Sequence, residues 1–268
     1  MIFKSKAPKR SRLPAKPEVV ELGDYRFYLK RQKRKSIALK SERDALILHI
    51  PKQLNARQVS GLLDSHQAWL LKHAQRLQNS IEQEFRAVEN SRFHFLGQLC
   101  ELVYVSKDHA DQAARLQPLT PSPNRNPVQF QLQVAVDADS CPLKQEQQAA
   151  DCLKQWFIEQ ANSYLLEQLE RYAEQMSLDY KTLQVKTYKG RWGSCYRDGR
   201  IQFNWRLLQA PKWVVNYVVV HELAHRRHPN HSKDFWQLVE QFYPLTKDAK
   251  LSLKQQGAGW INFLQAYQ

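Results

Sequence analysis

The sequence predicts an α+β fold, with a β-rich N-terminal region that also carries helices and a C-terminal region built on a small sheet and one buried helix. Three observations predict it. Apolar and polar residues fall into strand-length stretches between Tyr25 and Pro51. Helical periodicity runs from Leu143 to about Met176. An apolar run after Pro211 ends in His221-Glu222-Leu223-Ala224-His225, whose two histidines a helix would stack on one face.

In chain order, residues 1–20 read as a disordered basic tail, because Lys4 to Lys16 is broken by Pro8 and Pro14 and has little to bury. Tyr25–Lys30, Ser36–Leu39 and Ala45–Ile50 read as strands, the third closed by Pro51. The basic run Lys30–Lys35 between the first two reads as an exposed hairpin end. Asn55 and Asp64-Ser65 are N-cap candidates for two helices carrying Val59, Leu62 and Leu63, then Trp69, Leu70, His73 and Leu77. Phe93–Leu96 and Leu99–Val105 flank Gly97-Gln98 and predict a hairpin. Pro118–Pro127 reads as a loop and Val128–Val136 as a strand. The helix that follows turns Leu153, Trp156, Phe157, Tyr164, Leu165 and Leu169 to the core. A boundary near Ser140-Cys141-Pro142 separates an N-terminal α+β domain, 21–141, from a second domain, 142–268.

Composition sets the outer limits. At 268 residues the chain can bury a sizeable core. Cys100, Cys141, Cys152 and Cys195 form no C-x-x-C pair, which argues against a disulfide scaffold or a cysteine metal site and fits a reducing compartment. No apolar stretch approaches the ~20 residues of a membrane span, and the basic N-terminus lacks an apolar signal core. A cytoplasmic protein is expected. The net charge of +14 is concentrated, with 13 Lys or Arg against three acids in residues 1–40. Such a region attracts phosphates, so nucleic acid or nucleotide is a candidate partner, against the plainer reading of a solvated surface.

The stretch from His221 to His231 reads HELAHRRHPNH. Residues four apart on a helix lie about 6 Å apart along the axis, so His221 and His225 can converge on one zinc ion, which binds nitrogen at about 2.0–2.1 Å. Glu222 projects beside them, close enough to touch a water on the metal without ligating it. Pro211 suits the first helical turn. Trp213, Val214, Tyr217, Val218 and Val220 supply apolar positions whose β-branching needs tertiary burial to hold a helix. His228 is about 10.5 Å beyond His221 on a straight helix, too far for three ligands around one tetrahedral ion. Pro229 disfavours helix at His228, so the chain can turn back and bring His231 to the metal. Glu240, downstream, is the alternative ligand. The His225–His231 spacing equals that of metzincins, but Met1 and Met176 are the only methionines and neither supplies a Met-turn. Cys195, after Gly193-Ser194, reads as a small buried residue in a turn rather than a nucleophile. His49, His66, His73, His94 and His109 show no ligand spacing.

Three motifs occur in order over Leu183–Pro244: Gly190-Arg191-Trp192-Gly193-Ser194-Cys195, then Ile201-Gln202-Phe203-Asn204-Trp205, then His221–His231 with Ser232-Lys233-Asp234-Phe235-Trp236. This region resembles the YgjP-like metallopeptidase family, related to SprT-like and WLM-type zinc proteases. The N-terminal half is similar more loosely, around Tyr25–Pro51. The resemblance implies a zincin-like catalytic domain with a small sheet and an HExxH helix flanking the cleft. It also implies His221, His225 and His231 as zinc ligands and Glu222 as catalytic base.

The expected chemistry is metal-assisted hydrolysis, with a peptide or protein as the first substrate candidate. Tyr188, Arg191 and Tyr243 are candidates to stabilise the oxyanion. Arg200–Trp205 is a candidate edge strand for an extended peptide. Two alternatives draw on the basic N-terminal region: a metal-dependent nucleotide phosphohydrolase and a DNA-associated protease.

Overall fold

Alternating burial along Tyr25–Gln32, with Phe27 and Leu29 inside, shows how the first sheet faces its core. The structure is a computed structural model that describes residues 18–42, 45–82, 85–119 and 128–267. The predicted tail up to residue 17, and residues 120–127 of the predicted loop, lie outside that set. Contacts divide the chain into two units, Met1–Gln83 and Glu84–Gln268.

In the first unit, β1 (Glu18–Leu22), β2 (Tyr25–Gln32), β3 (Ala38–Glu42) and β4 (Ala45–Pro51) form one sheet in the order β1-β2-β4-β3. β1 thus begins inside the stretch read as tail. β2 and β4 pair in parallel and the outer strands pair antiparallel. The order corrects one expectation. Because β4 lies between β2 and β3, the basic run Lys30–Lys35 is not a hairpin end but the start of a connection past β4. Arg31 is also engaged, donating to both carboxylate oxygens of Glu18 at 2.9 Å and to Leu54 O. α1 (Ala56–Ser65) starts from Asn55 with the reciprocal capping box that the sequence allows, Gln58 closing it at 3.0 and 2.9 Å. α2 (Gln67–Glu82) follows one residue after α1, so Asp64 and Ser65 end the first helix rather than cap the second. Val59, Leu63, Leu70 and Ala74 from these helices meet Phe27, Leu29, Leu46, Leu48 and Ile50 in the unit's core.

The second unit opens with β5 (Arg92–Phe95), β6 (Gln98–Ser106), β7 (Ala114–Pro118) and β8 (Phe130–Val136), ordered β5-β6-β8-β7. α3 (Pro142–Met176) packs on this sheet. Leu102, Leu132, Val134 and Val136 share one core with Ala149, Leu153 and Phe157. That shared core is why the division falls between residues 83 and 84 rather than near Cys141: separating 21–141 from 142–268 would expose both faces. α3 has Pro at its first position and stops at Ser177, whose left-handed backbone (φ 51°) ends the helix.

A second sheet comprises β9 (Thr182–Lys186), β10 (Gly193–Cys195) and β11 (Arg200–Asn204) in the order β10-β11-β9. A buried 3₁₀ turn, Trp205–Gln209, leads into α4 (Lys212–Ala224), followed by α5 (Lys233–Phe242) and α6 (Thr246–Asn262). The β5–β6 turn buttresses the start of α4. Leu96 and Gly97 both take positive φ, 52° and 81°, which suits a two-residue hairpin turn. A Cβ at Gly97 would lie 2.9 Å from Pro211 Cα, so only glycine lets the hairpin sit this close. Val214, Val215, Val218, Val219 and Val220 of α4 are all buried, as a β-branched helix needs, whereas Trp213 lies at the surface. Among the described residues no helix is long and apolar enough to cross a membrane.

Candidate metal centre

α4 brings His221 and His225 to one face, and the chain beyond it supplies a third imidazole. Past Ala224 the helix tightens: Arg226 and Arg227 donate three residues back, and His228 N donates to Ala224 O at 2.9 Å. The helical path thus ends at His228, where Pro229 predicts it should. After the reversal His231 Nε2 lies 3.1 Å from His221 Nε2. One nitrogen from each of His221, His225 and His231 falls within 4.8 Å of the others. His228 contributes its carbonyl, not its ring: His225 Nδ1–H donates to His228 O at 3.1 Å. A carbonyl can only accept, so the proton sits on Nδ1 and the lone pair of His225 is left on Nε2. Glu240 lies on α5 outside this cluster.

The rings are held by aromatic neighbours from α5. Phe235, fully buried, stacks on His225 with centroids 4.5 Å apart, and Trp236 stacks on His231 at 5.5 Å and 22°. Ser232 caps α5 through Phe235 N at 3.3 Å, which fixes where that pair emerges. Burial, with help from His225, His231 and Lys250, lowers the His221 pKa to about 3. Burial also lowers His225, although its bond to His228 works the other way. Both rings are therefore neutral at pH 7, as binding a metal would require. His221 Nδ1 is buried without a partner.

Glu222, the residue after His221, projects from α4 towards β10. It is 7% exposed, and among the described residues no hydrogen bond acts on its carboxylate. Burial pushes its pKa up to about 8, with Arg191 the one charge acting against that shift. Arg226 ties this region together: it donates to Asp179 O at 3.0 Å, Tyr196 O at 3.2 Å and Arg197 O at 3.3 Å. The β10–β11 turn is thereby fastened to the end of α4. Asn204, fully buried, holds the preceding loop by donating to Tyr188 O and Arg191 O at 3.0 and 3.2 Å.

Several expectations are corrected here. β11 is the central strand of its sheet, parallel to β9 and antiparallel to β10, so the free edge beside Glu222 is β10. The sequence hides this because Gly193–Cys195 is too short to read as a strand. Cys195 lies in that strand, and burial raises its thiol pKa, the wrong direction for a nucleophile. Of the oxyanion candidates, Tyr188 OH donates to Gln202 Oε1 and Tyr243 OH to Trp213 O. Arg191 remains, exposed and lying over the Tyr188 ring at 5.2 Å.

No curated protein matches the chain. Among solved structures it is similar to the metallopeptidase zymogen abylysin of Pyrococcus abyssi, with 22% identity over 34% of this chain and 95% of that one. The TM-score is 0.32, a likeness too slight to carry any argument. The family profile described as YgjP-like, metallopeptidase domain, matches residues 35–256, which takes in β3 to the first part of α6 and the whole histidine cluster. By that match the chain belongs to the YgjP-like metallopeptidase family.

Proposed function

We propose that this chain is a zinc-dependent peptidase in which His221, His225 and His231 hold the ion and Glu222 is the general base. The observation that carries the reading is a three-imidazole cluster on α4 and its return loop, next to a buried carboxylate with no hydrogen-bond partner. The donor set fits zinc. Two nitrogens on a tetrahedral ion at about 2.0–2.1 Å would stand about 3.4 Å apart, and His221 and His231 stand at 3.1 Å. Three protein nitrogens also leave a fourth position open, as catalytic sites do.

When bound, zinc supplies a Lewis acid and lowers the pKa of a water towards about 7. Glu222 accepts the proton of the attacking water and passes it to the departing amine. Its burial keeps it basic enough for that task, since a carboxylate already stabilised by a partner would be a poor base. Arg191 is the donor for the developing oxyanion. An extended peptide pairs with β10: Asn204 N donates to Trp192 O and Tyr196 N to Arg200 O, which turns the backbone groups of Gly193 and Cys195 to the outer edge. Membership of a peptidase family favours this substrate class over nucleotides or DNA-bound targets.

Metal analysis tests the ligand set. The purified protein should carry about one zinc per chain, and His221→Ala, His225→Ala and His231→Ala should each largely remove it. His228→Ala should keep it. Loss in His228→Ala with retention in His231→Ala would overturn the assignment. A screen of unfolded proteins, peptides and nucleoside triphosphates then identifies the bond cleaved, and turnover of triphosphates alone would replace the peptidase reading.

A further inference from the structure

We infer that Gly193 is the positioning residue for Glu222: its missing side chain is the space that holds the carboxylate beside the histidine cluster. The inference rests on the proposed role of Glu222 as base. A Cβ added at 193 would lie 2.7 Å from both Cγ and Oε1 of Glu222 and 2.9 Å from Cδ. Those distances are well inside the about 3.5–4.0 Å at which carbon atoms pack.

Backbone geometry does not account for a glycine at this position. The glycines with left-handed backbone are Gly23, Gly97 and Gly199, and Gly193 is not among them. Any residue could adopt its extended conformation, and glycine weakens a strand by its entropy. The side chain that excludes a Cβ is Glu222 alone among the nearest atoms.

If a Cβ is added, the strand is poorly placed to retreat. Gly193 pairs with Phe203, which is fully buried, and Arg226 fastens the turn after β10 to the end of α4. The carboxylate therefore has to move. A tilt of the carboxylate end does not suffice, because Cγ is blocked as closely as Oε1. The side chain must leave its rotamer, and a helix offers few others. Any such change carries the base away from its position against β10.

Gly193→Ala tests this, with Gly190→Ala as control, since a Cβ at 190 meets nothing within 4 Å. Gly193→Ala should keep zinc at the wild-type level and KM within a small factor while kcat falls about 10²-fold, the usual cost of a 1 Å misplacement. Gly190→Ala should keep all three. A readout independent of turnover comes from melting the metal-free proteins. Any loss of Tm caused by Gly193→Ala should be relieved to within about 2 °C when Glu222 is also Ala, because the colliding atoms are then gone. Wild-type kcat in Gly193→Ala, loss of zinc along with activity, or an equal loss of Tm in both backgrounds overturns the inference. Glu222→Gln run in parallel separates the two readings: full activity there rejects the base, while the Tm comparison still judges the contact.

Discussion

Glu146 on α3 and Glu222 on α4 are both 7% exposed, yet their surroundings push them in opposite directions. Glu146 is gripped by Arg86, whose Nε and Nη2 donate at 3.0 and 2.5 Å, and by the Tyr267 hydroxyl. The Arg86 hydrogen bond, outweighing burial, holds its carboxyl below the usual range. Glu222 has no such grip and rises to about 8. The covers differ as well. Glu146 lies under a side chain that is itself 63% exposed, whereas Glu222 lies between a buried helix and a strand. A carboxylate that has found its partners is a fastening, here of Arg86 and the C-terminal Tyr267 to α3. One held without partners keeps its capacity to take a proton.

The largest test of that contrast is turnover. Glu222→Gln should retain zinc and fold and lose about 10²–10⁴ in kcat, because an amide of the same shape cannot accept the proton. Glu146→Gln should leave kcat nearly unchanged. Full activity in Glu222→Gln, or an equal loss in Glu146→Gln, would break the distinction between the two sites.

Sequence reading reaches these two residues unequally, for a physical reason. Glu222 is legible because its neighbours are local: a helix places His221 and His225 one turn apart, and Pro229 ends it in time for His231 to return. The N-cap at Asn55, the hairpin at Gly97 and the full length of α3 are legible on the same grounds, although the turn is Leu96-Gly97 rather than the Gly97-Gln98 the sequence suggests. Glu146 shows no signal, since Arg86 and Tyr267 lie 60 and 121 residues away and no periodicity links them. Strand order fails likewise. Strand-length apolar patterns in β2, β3, β4 and β11 mark strands but not which strand lies alongside, so β4 between β2 and β3, and β11 inside its sheet, are visible only in the fold. The division at 83/84 belongs to the same class, because it depends on β6 and β8 sharing a core with a helix later in the chain.

The next test is the stability of the metal-free protein against pH. A carboxyl whose folded pKa is raised contributes stability that is complete below its unfolded value and lost as pH rises through the folded one. For Glu222 that window runs from the ordinary carboxyl value of 4.5 to about 8. Metal-free Glu222→Gln, neutral throughout, should become more stable than metal-free wild type across it, by on the order of a few kcal/mol at pH 8. Glu146 has the opposite sign. Its lowered pKa stabilises the fold at neutral pH and the contribution fades as pH falls below 4.5, so Glu146→Gln should melt earlier at pH 7 and converge on wild type in acid. Parallel melting curves for Glu222→Gln and wild type from pH 5 to 9 would mean that burial does not strain Glu222 at all.

The smallest expected effect compares the two arginines. Arg86 touches its carboxylate through two bonds, and Arg86→Ala leaves Glu146 with Tyr267 alone. Because Arg86 is largely exposed and solvent screens the pair, the cost should be about 1–2 kcal/mol rather than the larger figure of a fully buried bridge. Arg191 makes no bond to Glu222 and acts on it only through space. Removing it should raise the Glu222 carboxyl slightly further, so metal-free Arg191→Ala should begin to fall behind metal-free wild type no earlier than neutral pH and stay within about 0.5 kcal/mol of it. Salt separates the two cases. The screening length falls to about 3 Å at 1 M, so the Arg191 effect should vanish there while most of the Arg86 effect, carried by direct hydrogen bonds, survives. Thermal melts of both variants at low and high salt measure this. An Arg191→Ala loss as large and as salt-resistant as that of Arg86→Ala would make Arg191 a true partner of Glu222, and the free base would then be no freer than Glu146.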